Sequence, residues 1–185
     1  MHSLVVHDPD LLDRLASLPR EPFEGHAYRA TRSSLDPLAS SYNGGRWMTR
    51  DAAAVLYTSL EREGALSEIA FHWSQLNPRP TKPVLVHRLR IVAHRTLRLI
   101  RVDIAALGVP ESEYMGVNLP RTQAIGAAVE FLGCDGLIAP SARWNCDNLM
   151  LFPERMGTDS TLELAHSEQV DWLAWGRANG LIDDR

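Results

Sequence analysis

Apolar residues recur along the 185-residue chain in short runs whose spacing switches between helical and extended. Over residues 8–18, Leu11, Leu12, Leu15 and Leu18 share one helical face and Asp8 or Asp10 stands near the start, which predicts a short amphipathic helix on the outside of the domain. Residues 23–31 mix apolar and polar positions around Tyr28 and predict a strand followed by a loop. That loop, 33–46, carries Asp36-Pro37 and Asn43-Gly44-Gly45, which is turn chemistry. A short strand is predicted at 55–58 and a helix at 60–75, ended by Asn77-Pro78. Residues 83–101 alternate apolar with basic or polar side chains, a period of two that predicts two half-buried strands with Arg88, Arg90, Arg98 and Arg101 along their outer faces. Gly108, Pro110, Gly116 and Pro120 make 108–121 a long irregular connection of the kind that serves as a lid. A helix over 122–132, short strands at 137–139 and 149–152, and a closing helix over 167–178 with Val170, Leu173 and Ala174 inward complete the pattern.

Regular β-α-β alternation is missing, so the pattern predicts an α+β domain with short-stranded mixed sheets and flanking helices rather than a doubly wound parallel sheet. No repeat, low-complexity tract or linker divides the chain, and 185 residues suit one domain. We expect a single unit over 1–185, with a core at about 23–152 and a helical closing segment at 160–185. Hydrophobic residues at 45% and charged residues at 23% exclude a disordered or collagen-like chain. A net charge of −4 excludes bulk attraction to nucleic acid or an anionic membrane, so any polyanion site must be local. Lys82 is the sole lysine beside 18 arginines, a skew that suits phosphate recognition but equally reflects composition. Cys134 and Cys146 form no C-x-x-C pair and read as free thiols. The N-terminal stretch lacks a basic opening and an apolar run, and no segment has the roughly 18 consecutive apolar residues of a membrane span, so a cytoplasmic protein is expected.

Nucleotide-binding glycine motifs, the H-E-x-x-H zinc motif and the G-x-S-x-G nucleophile turn are all absent. The seven histidines, His2, His7, His26, His72, His87, His94 and His166, give no pair at i, i+4, and no metal site is expected. Chemistry must rest on Arg, Tyr, Glu and Ser residues gathered by the fold. On a helical wheel Glu68 lies opposite Leu66, Ile69, Ala70 and Trp73 and faces a polar environment. Trp47, Trp73 and Trp144 flank the informative segments but read as core aromatics, and the 83–101 arginines offer a strand face that could bind nucleic acid without catalysis.

From Tyr28 to Trp73 the chain reads YRAT, SYNGGRW, VLYTS and LSEIAFHW, followed later by Pro140-Ser141. In order and spacing these segments resemble the RES-domain family, named for an Arg, a Glu and a Ser. Its pattern falls on Arg29, Gly44-Gly45-Arg46-Trp47, Tyr57, Glu68 and Pro140-Ser141, with Met48-Thr49 in place of the Asn that often follows the turn and Asn148 in a loosely spaced late position. The resemblance implies a fold similar to the ADP-ribosyltransferase core. It also implies the toxin of a bacterial toxin–antitoxin pair, consuming NAD as substrate by cleaving the nicotinamide–ribose bond with water or phosphate. The alternative it implies is a mono-ADP-ribosyltransferase acting on a protein target.

An Xre-like helix-turn-helix antitoxin is the implied partner, and a homodimer is compatible with the resemblance. No direct nucleic-acid or membrane contact is expected. Carried onto this chain, Arg29, Tyr57 and Glu68 are catalytic. Glu68 would stabilise an oxocarbenium-like transition state and Tyr57 would offer its ring to nicotinamide. Arg46 and Ser141 bind substrate, with Arg29 and Arg46 able to hold a pyrophosphate or a ribose. Whether Ser141 or Asn148 touches substrate stays open, and the other 16 arginines are assigned to composition.

Overall fold

Asp8 caps the first helix by accepting a hydrogen bond from the Asp10 amide at 3.0 Å, with Pro9 at the first helical position where its missing N–H costs nothing. The computed structural model describes residues 6–117 and 119–183. Their elements run α1 (Pro9–Ser17), β1 (Arg20–Thr31), β2 (Leu56–Ser59), α2 (Arg62–Ser74), β3 (Val84–Arg98), α3 (Arg101–Ala106), α4 (Glu111–Tyr114), α5 (Pro120–Phe131), β4 (Gly136–Pro140), β5 (Asp147–Leu151), β6 (Thr161–Val170) and α6 (Trp172–Ala178).

The described strands form one six-stranded sheet in the order β1-β2-β5-β4-β3-β6, and β1 also pairs with β3. Strands β1, β2, β5, β4 and β3 therefore close into a ring, with β6 added along β3. All pairings are antiparallel except β3–β4, which is parallel over Thr96–Arg98. His87 ties three strands together: its Nε2 lies 2.8 Å from Thr31 Oγ1 of β1 and its Nδ1 2.7 Å from Ser167 Oγ of β6. The result is a mixed α+β domain with one sheet and flanking helices. The expected short strands are corrected, since β1, β3 and β6 are 12, 15 and 10 residues long.

Residues 83–101 contain one strand rather than two. The misreading has a cause in the phase of the alternation. Val84 and Val86 turn one face of β3 into a core with Leu66, Ala70 and Trp172, whereas Leu89, Ile91 and Ala93 turn the opposite face into the ring. The apolar positions therefore change parity near Arg88, where β3 also slips register against β6.

The first helix is amphipathic on the outside of the domain, as expected: Leu11 and Leu15 are buried in the main core with Trp47, Ile125 and Met150, while Asp10, Asp13, Arg14 and Ser17 are exposed. The connection over 108–121 is not all irregular. It holds α4 and the start of α5, and Tyr114 is buried with its hydroxyl donating to the Pro140 carbonyl at 2.5 Å. The expected helical segment 160–185 is a strand from Thr161 to Val170 and a helix only from Trp172 to Ala178, where Asp171 caps Ala174 N at 3.0 Å. β6 is half-exposed to exposed along its length, so no apolar period marks it. Positions 1–5, 118 and 184–185 of the expected layout lie outside the described residues.

Three of the outward arginines face carboxylates. Arg90 pairs with Glu163 at 3.7 Å, Arg98 with Glu21 at 3.0 Å and with Asp147 at 2.5 Å, and Arg101 with Glu111 at 3.1 Å. Such exposed pairs add little stability, but they cancel the positive stripe that a phosphate backbone needs. No helix among the described residues is long and apolar enough to cross a membrane.

α5 packs its backbone directly on the Arg46-Trp47 turn. A Cβ on Gly126 would lie 1.7 Å from the Trp47 carbonyl oxygen, an impossible approach against backbone. Gly126→Ala should therefore destabilise the fold by about 3 kcal/mol or more, read as a lowered urea midpoint. An unchanged midpoint would contradict this packing.

Candidate active site

On α2, Leu66, Ala70 and Trp73 pack into the core beneath β3 and α6, which turns Glu68 out of it, as the wheel predicts. Phe71 and His72, three and four residues on, follow Glu68 into one cavity of about 430 Å³, and Ile69 lines it too. That volume falls within the range of small-molecule sites. Glu68 Oε1 accepts two hydrogen bonds, from Asn148 Nδ2 at 3.0 Å and from Ser141 Oγ at 3.2 Å. Asn148 is placed by β5, whose register sets it opposite Ser59 of β2 and Ala139 of β4. Ser141 follows β4 and is 3% exposed. Its oxygen also accepts from the Arg143 and Trp144 amides at 3.1 and 3.2 Å, folding the loop around it. Ser141 thus supports the carboxylate from behind and does not line the cavity, whereas Asn148 does. Asn148 Oδ1 is a buried acceptor with no partner among the described residues.

Arg29, at the end of β1, donates through one nitrogen to the carbonyls of Pro37 and Ala39 at 2.9 and 2.7 Å, pinning the following loop. Burial lowers its pKa from the ordinary arginine value, with Asp36 opposing. Arg46 sits in a tight turn closed by Gly45 N donating to the Met48 carbonyl at 2.8 Å. Gly44 there adopts φ 77°, in the left-handed region, and a Cβ on Gly45 would come 2.7 Å from the Tyr57 hydroxyl. The two glycines are thus explained by the turn and by Tyr57. Arg46 donates to the carbonyls of Tyr114 and Gly116 at 2.7 and 2.9 Å.

Arg29, Arg46, Tyr57 and Glu68 line the same cavity. Trp47 and Trp73, set aside as core, are buried and also form part of its wall, while Trp144 packs on Trp175 at 5.8 Å. Sequence reasoning missed Arg143. It lines the cavity, stacks 3.5 Å from the centre of the Phe71 ring and donates to the Met115 carbonyl at 2.8 Å. Its position two residues after Ser141 was the available signal. Among the described residues no His, Cys, Asp or Glu cluster is placed to hold a metal ion, and His2 lies outside them. Cys134 and Cys146 are free thiols.

The RES domain family model matches residues 5–173. The chain belongs to the RES-domain family. Among solved structures, this RES-domain chain is similar to a chain of the crystal structure of the M. tuberculosis MbcT–MbcA toxin–antitoxin complex. The TM-score is 0.76 at 20% identity, covering 94% of this chain and 98% of that one. No curated protein matches it.

The Tyr57 hydroxyl is buried without a hydrogen-bond partner among the described residues. Burial pushes its pKa up to about 12; the Trp47 and Met48 amides and the Arg46 charge oppose this without completing a bond to it. A tyrosine whose pKa is raised by folding contributes full stability below its unfolded value near 10, and that stability is lost as pH rises toward 12. The unmodified protein should therefore lose stability between about pH 10 and 12. Tyr57→Phe should lose less over that window, and at pH 8 it should be neutral or stabilising by about 1 kcal/mol, because it removes an unsatisfied polar group. Urea titrations at the two pH values check both statements; parallel losses in the two proteins would contradict the assignment.

Proposed function

We propose that this chain is the toxin of a toxin–antitoxin pair that consumes NAD by cleaving the nicotinamide–ribose bond, by hydrolysis or phosphorolysis. The observation that carries the reading is the Glu68 carboxylate, doubly hydrogen-bonded in a cavity that also presents Arg29, Arg46 and Tyr57. The family membership and the toxin–antitoxin complex of the structural neighbour support the same assignment. The fold would then be an ADP-ribosyltransferase-like core.

In this reading Tyr57 presents its ring to nicotinamide, and Arg29 and Arg46 hold the pyrophosphate by charge-assisted hydrogen bonds. The C–N bond breaks with its electron pair leaving on nicotinamide, and the ribose carbon gains oxocarbenium character. Glu68 carries the opposing negative charge, or holds the adjacent ribose hydroxyl. Ser141 and Asn148 act as positioning residues that fix the carboxylate before the charge develops. An oxygen of water or phosphate then bonds to the ribose carbon, and water's surplus proton passes to solvent.

An Xre-like helix-turn-helix antitoxin that covers the cavity is the partner in this reading, and both partner and substrate place the protein in the cytoplasm. The test is incubation of the purified chain with labelled NAD, with and without phosphate. Release of nicotinamide is expected, with the remaining label in small molecules. Label retained on a protein would instead identify a mono-ADP-ribosyltransferase, and intact NAD at high protein concentration would overturn both. Glu68→Gln should lower kcat by about 100-fold or more, the scale for losing a positioned electrostatic group.

A further inference from the structure

Charges in the cavity do not balance. Its lining carries three guanidiniums, Arg29, Arg46 and Arg143, against one carboxylate, Glu68. Several arginines elsewhere on the molecule meet carboxylates, among them Arg62 with Glu168, Arg121 with Asp8 and Arg155 with Glu130. Among the described residues, none of the three cavity arginines forms such a pair. Neutral groups hold them instead. Arg29 is fixed by two carbonyls, Arg46 by two more and Arg143 by one carbonyl and the face of Phe71. Carbonyl dipoles and a ring face set the direction of a guanidinium without cancelling its charge.

Arg46 and Arg143 are also near neighbours. Between them they grip three consecutive carbonyls, those of Tyr114, Met115 and Gly116, from two elements far apart in sequence. Two like charges held together at a half-buried site are costly unless an anion joins them, and a phosphate is a stronger partner than the carbonyls it would supplement. A guanidinium fork has five N–H donors, so Arg143 has donors beyond its Met115 bond.

We propose that Arg143 is a ligand-binding residue of this site, forming with Arg46 a two-guanidinium subsite for a phosphate or pyrophosphate group. The inference deepens the NAD reading: the pyrophosphate of a dinucleotide carries two negative charges, which matches the cavity's excess. The subsite is argued from the arginines' geometry alone, and only the identity of its ligand rests on that reading.

Calorimetric titration of the full chain with inorganic pyrophosphate and with ADP-ribose tests it. The unmodified protein should bind both, and Arg143→Gln should weaken both by about tenfold or more, the scale of one charge-assisted contact. Arg143→Lys, which keeps the charge and loses the planar stack, should recover part of the loss. Unchanged binding in Arg143→Gln overturns the proposal. So does an equal loss in both variants accompanied by a lowered unfolding temperature, which marks structural damage, and so does failure of the unmodified protein to bind either probe. Arg143-dependent pyrophosphate binding by a protein that leaves NAD intact would retain the subsite and remove the NAD reading.

Discussion

Ser59 lies opposite Asn148 and Tyr57 opposite Met150, and the site depends on that register between β2 and β5. Side chains alternate faces along a strand, so a slip of one residue would turn Asn148 away from α2 and lift Tyr57 off Gly45. Several contacts prevent the slip. β5 is paired on its other edge with β4 over Gly136–Pro140, and β4 is in turn fastened to the end of β3. Thr58 Oγ1 donates to the Leu149 carbonyl at 2.7 Å, a side-chain bond across the same strand pair. Closing five strands into a ring leaves β2, a strand of four residues, no alternative partner for its inner edge.

With that register fixed, the carboxylate is positioned from three directions. α2 presents Glu68 because its opposite face is committed to the core under β3, where Trp73 meets Trp172 edge to face at 5.3 Å. β5 supplies Asn148, and the loop after β4 supplies Ser141. Both donors reach the same oxygen, Oε1, so the carboxylate is held by one edge and oriented toward the cavity by the other. Rigid strands and a core-packed helix give such a group a fixed direction before any ligand arrives, and that is the condition for electrostatic stabilisation of a developing cation.

Legibility in the sequence followed local chemistry. Glu68 could be found because YRAT, GGRW and LSE stand in family order; α2 itself carries apolar residues on its core side and, with Ala65, Ile69 and Phe71, on its cavity side too. Arg29, Arg46 and Tyr57 came from the same order, and the structure brings them to one cavity. Where an element's faces are decided by distant partners, the pattern failed. β3 changes its buried face midway, and β6 has scarcely any buried face, so one was divided and the other missed. Ser141 was recognisable by position but not by role, since nothing in Pro140-Ser141 says that the hydroxyl stands behind Glu68 instead of in the cavity. Arg143 was lost among eighteen arginines because its distinction is its place in the cavity wall against the Phe71 ring, a property of the folded chain.

The placement of these arginines also bears on the tension between an acidic chain and the anionic ligand proposed for it. A net charge of −4 opposes anions at long range, but screening confines that opposition to about 8–10 Å at physiological salt. Outside the cavity several arginines are paired with carboxylates, as with Arg98 between Glu21 and Asp147, and the field of those arginines is cancelled locally. Inside, Arg29, Arg46 and Arg143 lie in a half-buried space where water screens them poorly, against the single charge of Glu68. Three guanidiniums against one carboxylate leave the cavity lining positive although the chain as a whole is acidic. An acidic surface with a cationic pocket selects small anions that enter it over polyanions that need an extended positive face. Under the proposed NAD reading, the arrangement suits a nucleotide better than a nucleic acid because three guanidiniums converge on one half-enclosed space instead of lining an extended face.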